Sequence, residues 1–123
     1  NRQFSVSRDT RIAVIPIGSH DGLTAAHADK GLVLVHGKRC RILGLASCEM
    51  MVDVSDIDPV MIGDEVVVYG KQGDDEITAF DCGAQVGSSY GITTSLHRRV
   101  PRVYWKGGKC VAVDVSGYVV GLD

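Results

Sequence analysis

Three short stretches of this sequence carry side chains able to do chemistry. Gly18-Ser19-His20-Asp21-Gly22 sets a hydroxyl, an imidazole and a carboxylate on one loop. These are the residue types of a nucleophile, a base and an orienting acid. Close neighbours in sequence seldom form such a triad, because each group must reach the next from a different backbone element. A tight turn in which Asp21 caps its own backbone is the simpler reading. Gly87-Ser88-Ser89-Tyr90-Gly91 offers hydroxyls and exposed backbone N–H groups near an expected helix start. That is the equipment for holding a phosphate or another anion. Arg98-Arg99-Val100-Pro101-Arg102 clusters cations ahead of a strand, either as a solvated or acid-paired patch or as a contact for an anion or a partner. Nothing in the chain supplies an activated nucleophile or a lysine in an apolar pocket. The histidines, His20, His27, His36 and His97, show no HxH or HxxxH spacing, so no metal site is expected. Cys40, Cys48, Cys82 and Cys110 form no CxxC pair. They read as reduced, small hydrophobic residues, which points to a cytoplasmic setting.

The scaffold that must position these groups is one domain. A chain of 123 residues buries roughly two-thirds of its unfolded surface. Hydrophobic residues at 45% and charged residues at 23% are globular values, which exclude a disordered chain. A net charge of −2 lacks the footprint of a nucleic-acid binder. No apolar run approaches the roughly 18 residues of a membrane helix. Residues 1–10 carry neither an initiator Met nor a signal-peptide pattern, as though cut from something longer.

Strand signals fall over residues 11–17, where Pro16 suggests a bulge or a sheet edge, and over 32–36, closed by a turn centred on Gly37. Further strands are expected over 39–46, 50–54 and 65–69, and acidic residues 73–76 read as a solvated turn. The clearest hairpin joins 103–106 to 109–113 through Gly107-Gly108, and a last strand follows Ser116-Gly117. Thr78 and Asp81 have the spacing of a capping box for a helix over 79–86 that Gly87 stops. A second helical turn is expected over 90–96. About eight short strands with one or two short helices predict an all-β domain, mostly antiparallel, a barrel or a sandwich.

Several segments, in order, resemble the C-terminal β domain of alanine racemase. Ile12-Ala13-Val14-Ile15-Pro16-Ile17-Gly18, followed by Asp21-Gly22, is similar to the opening strand and Gly-Tyr-Ala-Asp-Gly loop of that family. Gly31-Leu32-Val33-Leu34 with Gly37, Met51-Val52-Asp53-Val54, and Gly63-Asp64-Glu65-Val66-Val67 with Gly70 match its later strands. Gly87, Tyr90 and Ile92 match its helix start, and Arg99-Val100-Pro101-Arg102-Val103-Tyr104 its closing signature. The resemblance runs from about Phe4 to Tyr118.

The resemblance implies that residues 1–123 are a C-terminal β domain and that the pyridoxal-phosphate-binding (β/α)8 barrel lies outside this chain. It implies a cytoplasmic, pyridoxal 5′-phosphate-dependent isomerase interconverting L- and D-alanine for peptidoglycan. The barrel is its partner in cis and in trans, within a homodimer. A barrel lysine and a β-domain tyrosine are the two bases. That tyrosine falls at or before Asn1, so no catalytic residue is expected in this chain. Tyr90 takes the place of the phosphate-contacting tyrosine, with Ser88 and Ser89 beside it. Ser19, His20 and Asp21 take the place of the entryway loop, where Ser19 replaces a tyrosine. Ala46-Ser47-Cys48-Glu49-Met50 replaces a Cys-Met-Asp-Gln segment and is one residue shorter, and either Ser47 or Cys48 stands in for the substrate-contacting methionine. These departures point to a divergent racemase acting on alanine or a related amino acid such as serine. The alternative is a dimerisation or regulatory domain that kept the fold and lost the chemistry. In either case the isolated domain is expected to be inert.

Overall fold

The computed structural model describes residues 5–121. Asn1 and Phe4 therefore lie outside the described residues. The fold is all-β, and every strand pairing is antiparallel. A five-stranded sheet holds β1 (Ile12–Ile15), β2 (Leu32–Val35), β3 (Lys38–Leu45), β4 (Met50–Asp53) and β5 (Val66–Val67) in the order β1-β4-β3-β2-β5. A two-stranded ribbon pairs β6 (Gly70–Gln72) with β7 (Asp75–Ile77). A meander of β8 (Arg102–Lys106), β9 (Lys109–Val115) and β10 (Tyr118–Gly121) closes the chain. Three short helices, α1 (Ala25–Lys30), α2 (Ala79–Val86) and α3 (Ser89–Thr94), lie between the strands.

The central strand β2 explains the layering. Leu32-Val33-Leu34-Val35 is continuously apolar, as a strand buried on both faces must be. Val33 and Val35 enter one cluster with Ile42, Met50, Val52 and Val54. Leu34 points the other way and packs with Ile77, Cys82 and Ile92, so α2 and α3 are held by the same strand. The β2–β3 hairpin turns on His36 and Gly37, with φ of 51° and 71°, the left-handed pair a two-residue turn demands. A register shift between Ile42 and Gly44 bulges β3 and bends the sheet. The sheet curls without closing. Its edge strands β1 and β5 both line a groove of about 770 Å³ whose walls include Val54, Val60, Met61 and Ile62.

The expected Gly107-Gly108 hairpin is present, with φ of 58° and 77° at its two glycines. The capping box is present too: Thr78 Oγ1 accepts from the Asp81 backbone N–H at 3.0 Å, and Asp81 Oδ2 accepts from Thr78 N at 3.0 Å. Gly87 ends α2 at φ 92°. The structure differs from expectation at two places. The strand expected over 65–69 is broken: β5 keeps two residues, and Asp75 and Glu76, expected in a turn, form β7. Helix α1 was not foreseen. Its cap is unusual, because His27 Nδ1, in place of a glutamate, accepts from Thr24 N at 3.0 Å.

Candidate functional site

The entryway segments converge. Residues 19–21 form one 3-10 turn, entered at Gly18 and left at Gly22. Ser19 N donates to Ala46 O at 3.0 Å and His20 N to Ser47 O at 2.8 Å, so the loop rests on the 46–49 turn. Gly18 permits this approach, because a Cβ there would lie 2.4 Å from Ala46 O. Asp21 does cap its own loop, accepting from Gly18 N at 2.7 Å through Oδ2. It also does what sequence reasoning missed. Its Oδ1 accepts from Arg99 Nε at 2.7 Å, and its backbone carbonyl accepts from His97 N at 3.2 Å. The Asp21 side chain is 6% exposed and that of Arg99 42%. One buried carboxylate thus ties the Gly18–Gly22 loop to the 97–99 segment, 78 residues further along the chain.

Cys48 is the side chain of the 46–49 turn that reaches this cluster. Its Sγ lies 3.9 Å from His20 Nδ1 and 3.9 Å from Arg99 Nη1. Contacts with Cys48 and then with Asp21 raise the Arg99 pKa above its ordinary value, since both favour the charged guanidinium. Ser47 contributes its carbonyl, spent on His20 N. The other cations of the basic patch are spent on the fold: Arg98 Nη2 donates to Ser116 O at 2.9 Å, and Arg102 Nη2 to Leu96 O at 3.4 Å. Ser19, His20, Gly22, Ser95, His97 and Arg99 line a pocket of about 440 Å³. Of these, Ser95 and His97 carry no signal that marked them as site residues in the sequence. Arg99 belongs to the cation cluster read as a solvated or acid-paired patch or as a contact for an anion or a partner, and the structure pairs it with the acid Asp21.

The second group sits on α3. Ser88 caps the helix, its Oγ accepting from Gly91 N at 2.9 Å. Tyr90 is 79% exposed, while Ile92, 4% exposed, anchors the helix in the core. The Ser89 side chain is not among those described. The far end of α3 meets the first cluster, where Ser95 Oγ donates to Gly22 O at 2.8 Å. Tyr90 therefore stands about 7 Å along the helix from the contact with the Gly22 loop, and its own hydrogen bonds stay within α3.

Elsewhere, His27 and Cys82 form a buried pair, Nε2 to Sγ at 3.5 Å. Burial lowers the His27 pKa against the smaller raising effect of its Thr24 bond, and burial raises that of Cys82. In each case burial favours the neutral form, and the pair packs in the core. All four cysteines are free thiols. Among the described residues no helix is long and apolar enough to cross a membrane.

The family model for the alanine racemase C-terminal domain matches residues 1–104. Alanine racemase 1 of Clostridium acetobutylicum is 34% identical over 114 residues, covering 91% of this chain and 30% of the relative. Among solved structures, alanine racemase from the D-cycloserine producer Streptomyces lavendulae superposes with a TM-score of 0.76 at 35% identity, covering 85% of this chain and 28% of that one. Alanine racemase from Bacillus anthracis with bound L-Ala-P gives 0.72 at 32% identity, covering 89% and 27%. The chain spans less than a third of the length of these relatives.

Proposed function

The chain belongs to the alanine racemase C-terminal domain family, and from that premise we propose that it completes the active site of a pyridoxal-phosphate-dependent amino-acid racemase. The observation that carries this reading is Tyr90. A tyrosine 79% exposed beside a buried Ile92 is not a core aromatic, and it occupies the position that the resemblance gives to the phosphate contact. Its O–H is a donor on a helix fixed by Ile92 at one side and by the Ser88 cap at the start. Ser88 keeps its own O–H available after accepting from Gly91. The pair suits a phosphate, and Ser89 joins them in the proposal. Bound pyridoxal phosphate would supply the electron sink that acidifies the Cα–H of an amino acid.

The remaining residues shape access. Ser19, His20, Ser47 and Cys48 border the approach, while Asp21 acts from below as a positioning residue. Ser19 leaves the mouth wider than a tyrosine would, which suits alanine or a slightly larger amino acid such as serine. The tyrosine and lysine bases belong to sequence upstream of the described residues. The partner is a barrel domain, in cis and in trans, within a homodimer. The exposed Val103, Trp105, Tyr118 and Val119 on the terminal meander support a partner that covers apolar surface. The protein would work in the cytoplasm, supplying a D-amino acid for peptidoglycan.

The test is racemisation of L-alanine and L-serine by the full-length protein, read by chiral chromatography. Tyr90→Phe removes one charge-assisted hydrogen bond and should weaken pyridoxal phosphate binding about tenfold. The 123-residue chain alone should be inactive. A cofactor-loaded full-length protein that racemises neither amino acid would favour the alternative, a dimerisation or regulatory domain. Unchanged cofactor affinity in Tyr90→Phe would remove Tyr90 from the site.

A further inference from the structure

The pocket lined by Ser19, Gly22 and Ser95 also gathers one guanidinium, Arg99, and two imidazoles, His20 and His97, on a chain of net charge −2. None of its described lining residues is acidic. The carboxylate bonded to Arg99, Asp21, is 6% exposed and already engaged by Gly18 N and Arg99 Nε. Its charge fixes the guanidinium in place, and Asp21 is not among the residues that line the pocket. Arg99 spends Nε on Asp21, so its terminal Nη groups are the part left to face the pocket and Cys48. His97 accepts at Nδ1 from Arg99 N at 3.3 Å. That bond leaves Nε2 to carry the ring proton, as a donor. Ser95 secures the wall by donating to Gly22 O. A volume of about 440 Å³ falls in the range of small-ligand sites.

We propose that this pocket is a binding site for a small oxyanion, a carboxylate or a phosphate, held by Arg99 and His97 with His20 at its rim. The fork of a guanidinium fits two oxygens of either group. A buried acid beneath it removes the entropy of positioning a long side chain. The site shares the Ser19–His20 loop that the racemase reading assigns to the approach and goes beyond that reading, since binding requires neither turnover nor cofactor. An amino-acid carboxylate is one source of the anion and inorganic phosphate another.

Cys48 is a built-in reporter, because its Sγ contacts both His20 and Arg99. The experiment measures the alkylation rate of Cys48 by iodoacetamide in the full-length protein, by peptide mass spectrometry. Sodium acetate, sodium phosphate and sodium chloride are compared at equal ionic strength, and calorimetric titration with the same salts runs in parallel. Acetate, phosphate or both should slow Cys48 saturably, with a dissociation constant on the order of a millimolar, as suits so small a ligand. Cys110 should be unaffected. A response to acetate alone identifies a carboxylate site, and to phosphate alone a phosphate site. His97→Gln should weaken binding about tenfold, the equivalent of one charge-assisted hydrogen bond. His36→Gln, whose imidazole pairs with Asp64 elsewhere, should leave binding unchanged. Arg99→Lys keeps the charge but not the fork and should weaken it further. If Arg99→Lys does not fold, His97→Gln still decides. Equal slowing by all three salts, no heat of saturable binding, or full affinity in His97→Gln would overturn the proposal.

Discussion

Replacing Arg99 by Met tests whether the Asp21 link organises the site. Met keeps most of the stem's bulk and removes every N–H donor. The lost contact is one charge-assisted bond of 2.7 Å to a carboxylate 6% exposed. Such bonds contribute about 1.5–3 kcal/mol. Stranding a fully buried charge costs about 3–5 kcal/mol. Here Arg99 is 42% exposed, so water can reach the vacated space, and Gly18 N–H remains on Oδ2. We therefore expect a loss of about 2–3 kcal/mol. With an unfolding entropy of about 2.1 cal/mol/K per residue over 123 residues, that lowers Tm by about 8–12 °C. Urea denaturation with linear extrapolation gives the free energy directly, and differential scanning calorimetry the Tm. The partner measurement is Asp21→Asn combined with Arg99→Met. If the cost lies in a stranded carboxylate, neutralising it should return about 1 kcal/mol. A loss in Arg99→Met below about 0.5 kcal/mol, the level of an exposed ion pair, would refute the reasoning.

Two further predictions follow from local geometry. Gly22→Ala should destabilise the chain by more than about 2 kcal/mol in urea titrations, because Gly22 sits at φ 112° and a Cβ would meet Ser95 O at 2.5 Å. His27 gives a pH signature. Its folded pKa is lowered below the ordinary 6.5, chiefly by burial, so below pH 6.5 the unfolded chain takes up a proton that the folded chain resists. Stability from this group is complete above pH 6.5 and falls as pH drops through the window just beneath it. Urea midpoints across that window should decline for the parent chain and be flatter for His27→Gln.

Much of the fold was legible because it is written in local rules. The apolar run of β2 announces burial on both faces. Gly107-Gly108 and His36-Gly37 supply the left-handed residues their hairpins need. Thr78 and Asp81 state where α2 begins. The illegible parts depend on distant partners. Residues 65–69 read as one strand, yet only Val66 and Val67 find a neighbour, in β2, before the chain turns to pair β6 with β7. Helix α1 lacks an acidic cap signal and is stabilised by burying His27 against Cys82, 55 residues away.

The site divides the same way. Tyr90, Ser19, His20, Asp21 and Cys48 were nameable from residue type, position and resemblance, and Asp21's capping of its own loop is a local contact that the spacing alone determines. Folding brings Asp21 to Arg99, sets the Cys48 side chain against Arg99, and places His97 and Ser95 beside Arg99 in one pocket. A capping bond spans three residues and is governed by nearby backbone angles. A bond spanning 78 residues exists only once the intervening elements have packed, and no local pattern in a single sequence encodes that distance.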